Sequence, residues 1–369
     1  KDLSAVNMRV QNLSQLGKVH VQALVRYWEQ QGASVAYVQN LLTTIRRMLT
    51  WVGKPDAVPA LNLLVVDPKN AARTYTAVRP KTLTAKGIDP QVVFQELDAI
   101  CKIAGMQLRL MLSFGLRVEE TLMLRPQIAD KGTYLAVSEG TKGGKYREVP
   151  IETPTQVDAL NAAKAIASEH PKGLVSLPRR RSLDQAKRRF HYLCAKVGLT
   201  KKTLGVTAHG MRHQYANEQF EALTGEKPPV LGGKPVEREL ARIANKAVSR
   251  QMGHERECTT SAYNSSDRVM ARVHRQNLKA LEAMFKAEPV VKALRAAGIT
   301  RLQVIGPAAD GEQLPPVVSL AWDGAQPSVP HENNGLLTHE LVSCLDGRGV
   351  VLACIGSPGI AGQPTFEVF

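Results

Sequence analysis

The feature that most limits what this chain can fold into is a break in composition near Phe285. The 84 residues that follow, 286–369, hold 18 of the 49 Gly and Pro residues of the 369-residue chain. They also hold five Lys/Arg against eight Asp/Glu. Residues 1–285 therefore carry a formal +18 and residues 286–369 a formal −3, within a total of +15. A stretch so rich in helix breakers does not continue the helical patterning before it, so a domain boundary belongs there. An apolar content of 44% excludes global disorder, and 369 residues suggest two or three domains.

Before the break the pattern is helical. Val21, Leu24, Val25 and Trp28 recur at helical spacing. After Gly32-Ala33, Ser34 is placed to cap a second helix burying Val38, Leu41, Leu42, Ile45, Met48 and Leu49. Residues 66–90 have mixed periodicity. A further helical region covers about 90–125, with Val92, Val93, Leu97, Ile100, Met106, Leu110, Met111 and Phe114. Tyr134–Val137 reads as a strand, Gly143-Gly144 as a turn and Tyr146–Ile151 as the returning strand. Helices are expected at about 153–168 and 182–197. Beyond Phe285, strand-like runs occur at 303–305, 317–322, 340–345 and 350–355, with a hairpin turn at 346–349. The expected organisation is a helical module at 1–75, a linker at 76–89, a main domain at 90–285 and an acidic module at 286–369. The fold class is mainly α with a small β-hairpin, plus an appended α/β or β-rich module.

The basic excess of residues 1–285 points to a polyanion, with nucleic acid first, because phosphate neutralisation dominates that affinity. A clamp around duplex DNA is one use of a basic helical module; a solvated polar face is the ordinary one. Arg179-Arg180-Arg181, followed by Lys187 and Arg188, is either a solvated basic face or, lying near a helix N-terminus, a place where backbone N–H groups can also bind phosphate. No window approaches a membrane span. Lys1-Asp2-Leu3 opens directly into polar helical sequence, and the five Cys form no CxxC. The expected setting is the cytoplasm, in association with the nucleoid.

Four short stretches carry chemistry: Phe114–Glu120, Thr141–Lys145, His209–His213, and Met252–His254 with Tyr263 nine residues beyond His254. Each has an ordinary explanation. Arg117 can be a surface arginine paired with Glu120, and Lys142 can serve turn solubility. His209 and Arg212 can be a satisfied helical pair, and Tyr263 a packed aromatic. His209 and His213 have zinc-like spacing, but Gly210 stands where HExxH has Glu and no third ligand is evident. No metal and no cofactor are expected.

Together, Gly115-Leu116-Arg117 with Glu120, Lys142 on a Gly-Gly hairpin ending in Val149-Pro150, His209-x-x-Arg212, Gly253-His254 and Tyr263 stand in an order that resembles the tyrosine recombinase (phage integrase) family. The resemblance covers about 90–280 in detail and is closest in motif wording to integrases of proteobacterial prophages and genomic islands. Residues 1–75 are similar to the family's helical core-binding domain in size and pattern. Two departures stand out. Arg212 and His254 are 42 residues apart, lengthened by the Gly/Pro-rich stretch 224–236, and the segment after Phe285 is long.

The resemblance implies phosphodiester transesterification without metal. Tyr263 would be the nucleophile, storing the bond as a 3′-phosphotyrosyl link. Arg117 and Arg212 would answer the charge on the non-bridging oxygens with a fork geometry matched to phosphate. Lys142 would protonate the leaving 5′-oxygen, with Lys145 as a stand-in. His209 would act as base, His254 would hydrogen-bond the phosphate, and Glu120 would orient the framework. The implied partners are double-stranded DNA and copies of the same chain, as a tetramer on DNA. Accessory proteins are expected to meet residues 286–369. The stripe Val269, Val273, Leu278, Leu281 and Phe285 fits either a helix packed on its own chain or an arm given to a neighbour. The leading function is an integrase of a mobile element. The alternatives are a DNA-binding protein of the same fold without catalysis, and a resolvase of chromosome dimers.

Overall fold

The computed structural model describes residues 2–175, 182–254 and 257–286, together with four strands of the C-terminal segment. The chain divides into two compact units, Lys1–Tyr75 and Thr76–Phe369.

The first unit is built on helices α1 (Lys18–Gln30) and α2 (Val35–Trp51). Ser34 caps α2 by accepting a hydrogen bond from the Tyr37 N–H at 3.3 Å. Val21, Leu24, Val25 and Trp28 of α1 pack with Val38, Leu42 and Leu49 of α2. Met48, expected inside, is 37% exposed. It stands at the edge of the stripe formed by Val38, Leu42, Ile45 and Leu49, where helical rotation turns it toward water. The chain after α2 is pinned by Glu29, whose carboxylate accepts from the N–H groups of Val66 and Asp67 and from Asn70 Nδ2.

The second unit is organised around α3 (Pro90–Phe114), capped by Asp89 and kinked at Cys101. Its apolar residues face two ways. Met106, Leu110 and Phe114 join one core cluster, and Val93, Phe94, Leu97, Leu108 and Met111 join another. A helix apolar on both sides must be central, and α3 is flanked by α5 (Pro154–Ser168), α6 (Leu183–Lys196) and α7 (His209–Thr224). The helical stretch expected over 90–125 is interrupted. Gly115 adopts φ +59° and ends α3, and α4 (Val118–Met123) begins after Arg117. Strands β1 (Tyr134–Val137) and β2 (Arg147–Pro150) form an antiparallel pair whose register closes at Val137↔Arg147. Residues 138–146 are the loop between them. Residues 76–89, read from sequence as a linker, belong to this unit, with Thr82 and Leu83 buried.

After α7, the 224–236 stretch carries a short helical turn at Pro229–Leu231 and leads to α8 (Arg238–Gln251), capped by Glu237. Tyr263 lies on the single turn α9 (Ser261–Asn264), ahead of α10 (Asp267–Phe285). The turn at 229–231 packs against both α9 and α10. Of the stripe on α10, Val269 and Val273 are half-buried, while the side chains of Leu278, Leu281 and Phe285 lie outside the described residues. In the C-terminal segment, strands β3 (Ile299–Ile305), β4 (Val317–Trp322), β5 (Val351–Cys354) and β6 (Pro364–Glu367) form a mixed sheet in the order β5-β4-β3-β6. The β4–β5 pair is parallel, which requires a crossover rather than a tight turn. The strand-like run 340–345 and the turn 346–349 fall outside the described residues.

Gly115 supplies a test of this geometry. A Cβ there would sit 2.5 Å from Tyr215 Cδ1 and 2.9 Å from Met252 Sδ. At Gly132, which also has a positive φ of +83°, a Cβ would meet nothing within 4 Å. Backbone strain is thus common to both positions and crowding unique to one. Gly115→Ala is expected to cost about 1–3 kcal/mol more than Gly132→Ala by urea denaturation. Equal losses would show that the crowding does not matter.

Candidate active site

One buried carboxylate organises the first half of the site. Arg117 stands at the N-cap of α4, and its backbone N–H donates to Glu120 Oε2 at 2.7 Å. Its Nη1 donates to Glu120 Oε1, also at 2.7 Å. From β2, Arg147 donates to the same carboxylate through Nη1 at 2.8 Å and Nη2 at 2.6 Å. The Glu120 side chain is fully buried. Burial alone would raise its pKa. The hydrogen bonds and charge of Arg147, then the backbone N–H and charge of Arg117, outweigh that and hold it down at about 2.

The second half is built around Arg212, on the first turn of α7 and wholly buried. Its Nη1 donates to the Gly115 carbonyl and one Nη2 hydrogen to the Met252 carbonyl. Nε lies 3.4 Å from the Tyr263 hydroxyl, and Nη2 3.5 Å from His254 Nε2. His254 Nε2 is in turn 3.2 Å from the Tyr263 hydroxyl. The nucleophile candidate, a cation and an imidazole thus meet at one oxygen. Burial lowers the pKa of Arg212, but the tyrosine hydroxyl partly offsets this, and the group remains a cation at neutral pH.

Two more imidazoles surround the tyrosine ring. His213 lies 4.6 Å from it between centroids, and His209 6.4 Å from it. The pKa of His209 is pushed down to about 4, by burial first and then by Arg212, Arg117 and Lys81. Burial and neighbouring cations act in the same way on His254, also at about 4, and on His213, at about 3. All three are neutral at pH 7 and can accept a proton.

An asparagine ladder holds the tyrosine turn in place. Asn217 Nδ2, on α7, donates to the Tyr263 carbonyl at 3.2 Å and to Asn264 Oδ1 at 2.9 Å. Asn264 Nδ2 donates to Asn245 Oδ1 of α8 at 3.1 Å. Thr260 Oγ1 donates to the Asn245 carbonyl at 3.1 Å. The turn is therefore tied by side-chain bonds to two long helices.

Of the residues expected from sequence, Arg117, Glu120, His209, Arg212, His254 and Tyr263 are brought together. Lys142 is not: it is exposed on the 138–146 loop, and Lys145 is exposed there too. Arg179, Arg180 and Arg181 lie outside the described residues. Lys187 is engaged with Glu119 at 3.2 Å and Asp184 at 3.0 Å, and Arg188 is exposed. Sequence reasoning missed Arg147, His213 and the three asparagines. Arg147 had one signal, a charge at an inward position of the alternating strand, two residues before Val149. His213 had its spacing from His209, which suggested zinc. Among the described residues, no group of three or more His, Cys, Asp or Glu side chains is arranged to hold a metal ion. Nor is any of their helices long and apolar enough to cross a membrane.

The family described as "Integrase" matches residues 76–218, and that described as "Phage integrase, N-terminal" matches residues 1–58. No curated protein matches. Among solved structures, a lambda integrase dimer bound to a core site is similar at 16% identity and TM-score 0.48, over 72% of this chain and 86% of that one. The Tn1549 transposon integrase with circular intermediate DNA gives 15% identity and TM-score 0.44, over 72% and 86%. XerA recombinase gives 16% identity and TM-score 0.36, over 74% and 87%.

The depressed histidines make stability pH-dependent. Their ordinary value is 6.5 and their folded values are about 3 to 4. Between these limits the unfolded chain binds more protons, so stability present above pH 6.5 is lost as pH falls. The melting temperature is expected to drop from pH 7 to pH 4, and His213→Asn to flatten that slope. A flat or rising profile for the unsubstituted protein would contradict neutral, buried imidazoles. Asn217→Ala, which strips partners from a buried amide, is expected to cost about 1–3 kcal/mol in chemical denaturation.

Proposed function

The chain belongs to the phage integrase family of tyrosine recombinases, site-specific DNA strand-exchange enzymes, and we propose that it cuts and rejoins DNA through Tyr263. The observation that carries this is the meeting of Arg212 Nε and His254 Nε2 at the Tyr263 hydroxyl, at 3.4 and 3.2 Å. A protein that only binds DNA has no need of a nucleophile held this way, which favours catalysis over the inactive reading.

In the proposed step, Tyr263 Oη attacks the scissile phosphorus. The bond to tyrosine forms, the P–O5′ bond breaks, and the strand remains attached as a 3′-phosphotyrosine. Arg117 and Arg212 answer the charge on the non-bridging oxygens. Donors fixed before reaction avoid the cost of reorganising at the transition state. The phenol proton passes to a neutral imidazole. His254 touches the hydroxyl, whereas His209, the base implied by the resemblance, stands farther out. Lys142, on its exposed loop, protonates the leaving oxygen once DNA draws the loop in. Reversal with a different 5′-hydroxyl rejoins the strand to a new partner. With Tyr263 held by Arg212 and His254 of its own chain, the cleavage we propose is in cis.

Exchange between two duplexes breaks four strands, so the proposed active form is a tetramer on DNA. The basic first 285 residues supply phosphate contacts, with Arg188 and Lys145 among the accessible cations. The proposed role is integration and excision of a mobile element, with accessory proteins received by residues 286–369.

A duplex nicked beside the cleavage position lets the short product diffuse away and traps the covalent complex. The adduct is expected with the unsubstituted chain and absent with Tyr263→Phe. Arg212→Lys is expected to slow its formation by about 10²-fold or more, since an ammonium cannot replace the fork. An adduct that persists in Tyr263→Phe would exclude this tyrosine as nucleophile. His254→Ala is expected to lower the rate more than His209→Ala if the nearer imidazole takes the proton, and the reverse order would restore His209 as base.

A further inference from the structure

Arg147 is the buried cation that this mechanism does not use. Its side chain is only 4% exposed, and its N–H groups reach out to two other segments. Nη1 and Nη2 clasp Glu120, the carboxylate that also receives Arg117. Nε donates at 2.8 Å to the carbonyl of Gln251, three residues before His254. Gly253 is shaped around the same side chain: a Cβ there would lie 3.0 Å from Arg147 Cδ and 3.2 Å from Nη1. Arg147 is also the first residue of β2 and pairs with Val137, the last of β1. On its far side lies the loop 138–146 that carries Lys142, five residues away. One guanidinium therefore joins the root of the lysine loop to the segments bearing Arg117 and His254.

We propose that Arg147 is a positioning residue for strand cleavage, fixing the root of the Lys142 hairpin against the Arg117–Glu120 and Gln251–His254 segments so that the lysine reaches the leaving 5′-oxygen. This rests on the reading of Lys142 as the acid. A two-stranded hairpin paired over four residues has little rigidity of its own. The anchor at its loop end decides where the loop can reach. Lysine at position 147 would keep the charge but lose the fork that grips the carboxylate, and it could not reach the Gln251 carbonyl at the same time.

The leaving group distinguishes this role from general structural support. With oxygen at the 5′ position, breaking the P–O5′ bond requires a proton from Lys142. With sulfur in that bridging position, the thiolate departs without one. Single-turnover cleavage is measured on a nicked duplex carrying a site on which the unsubstituted chain forms the covalent adduct, in all-oxygen and 5′-bridging phosphorothiolate forms. Arg147→Lys is expected to lose more than about tenfold on oxygen, part of the ~10²–10⁴ that a placed acid contributes. It is expected to recover to within about threefold of the unsubstituted chain on sulfur. Lys142→Ala should recover likewise, while Arg212→Lys, which lacks a phosphate ligand, should stay slow on both. If removing Arg147 prevents folding, Arg147→Met with Glu120→Gln leaves no unpaired carboxylate, and its rate should still be much closer to that of Glu120→Gln alone on sulfur than on oxygen.

Equal losses on both substrates for the Arg147 variants, with Lys142→Ala recovering, would overturn the positioning role and leave the acid assignment standing. Failure of Lys142→Ala to recover would overturn the acid assignment, and the positioning role with it.

Discussion

The carboxylate of Glu120 is the group on which the arrangement of the site depends. It is fully buried, and removing a carboxylate from water costs several kcal/mol unless its charge is met. It is met four times, by two N–H groups of Arg147 and by the side chain and backbone of Arg117. The cluster retains one positive charge in excess, with Arg117 a quarter exposed and Arg147 enclosed. The enclosed arginine satisfies the carboxylate, which leaves the more accessible one able to turn toward an incoming anion. A buried pair of this kind contributes less to stability than to geometry, because the cost of taking its charges out of water offsets much of their attraction.

Positive charge is thus concentrated before any phosphate arrives. Burial depresses all three neighbouring imidazoles, and the charge of Arg212 pushes each further in the same direction, so the histidines around Tyr263 are neutral bases in the free protein. A phosphodiester brought among these cations would offset their field and raise the same imidazoles. In the proposed reaction, the proton acceptor would therefore become stronger once the substrate is bound. The asparagine ladder completes this order, since it holds the tyrosine turn by its backbone and leaves the hydroxyl to Arg212 and His254.

Much of the fold and of the site was legible in the sequence, for reasons that can be assigned. The inward stripe of α2 showed through its spacing, and the hairpin through its glycine turn. Six of the site residues were reached through their order along the chain. The interruption at Gly115 was less visible, because the apolar pattern continues across it and only the positive φ marks the break. Arg147 was overlooked because an arginine on a short strand ordinarily faces water; its burial follows from a carboxylate 27 residues earlier in the chain. Asn217, Asn245 and Asn264 come from three separate segments, and only tertiary packing brings their amides together. Lys142 is the opposite case, named from its motif but standing exposed on its loop.

The compositional break near Phe285 separates this chemistry from a mixed four-stranded sheet that contributes none of the assembled residues. The central claim, that Tyr263 carries the covalent bond, is tested most directly by peptide mapping of the trapped protein–DNA complex. After nuclease digestion, mass spectrometry should place the residual nucleotide on the peptide containing Tyr263. A nucleotide found on any other side chain would contradict the account.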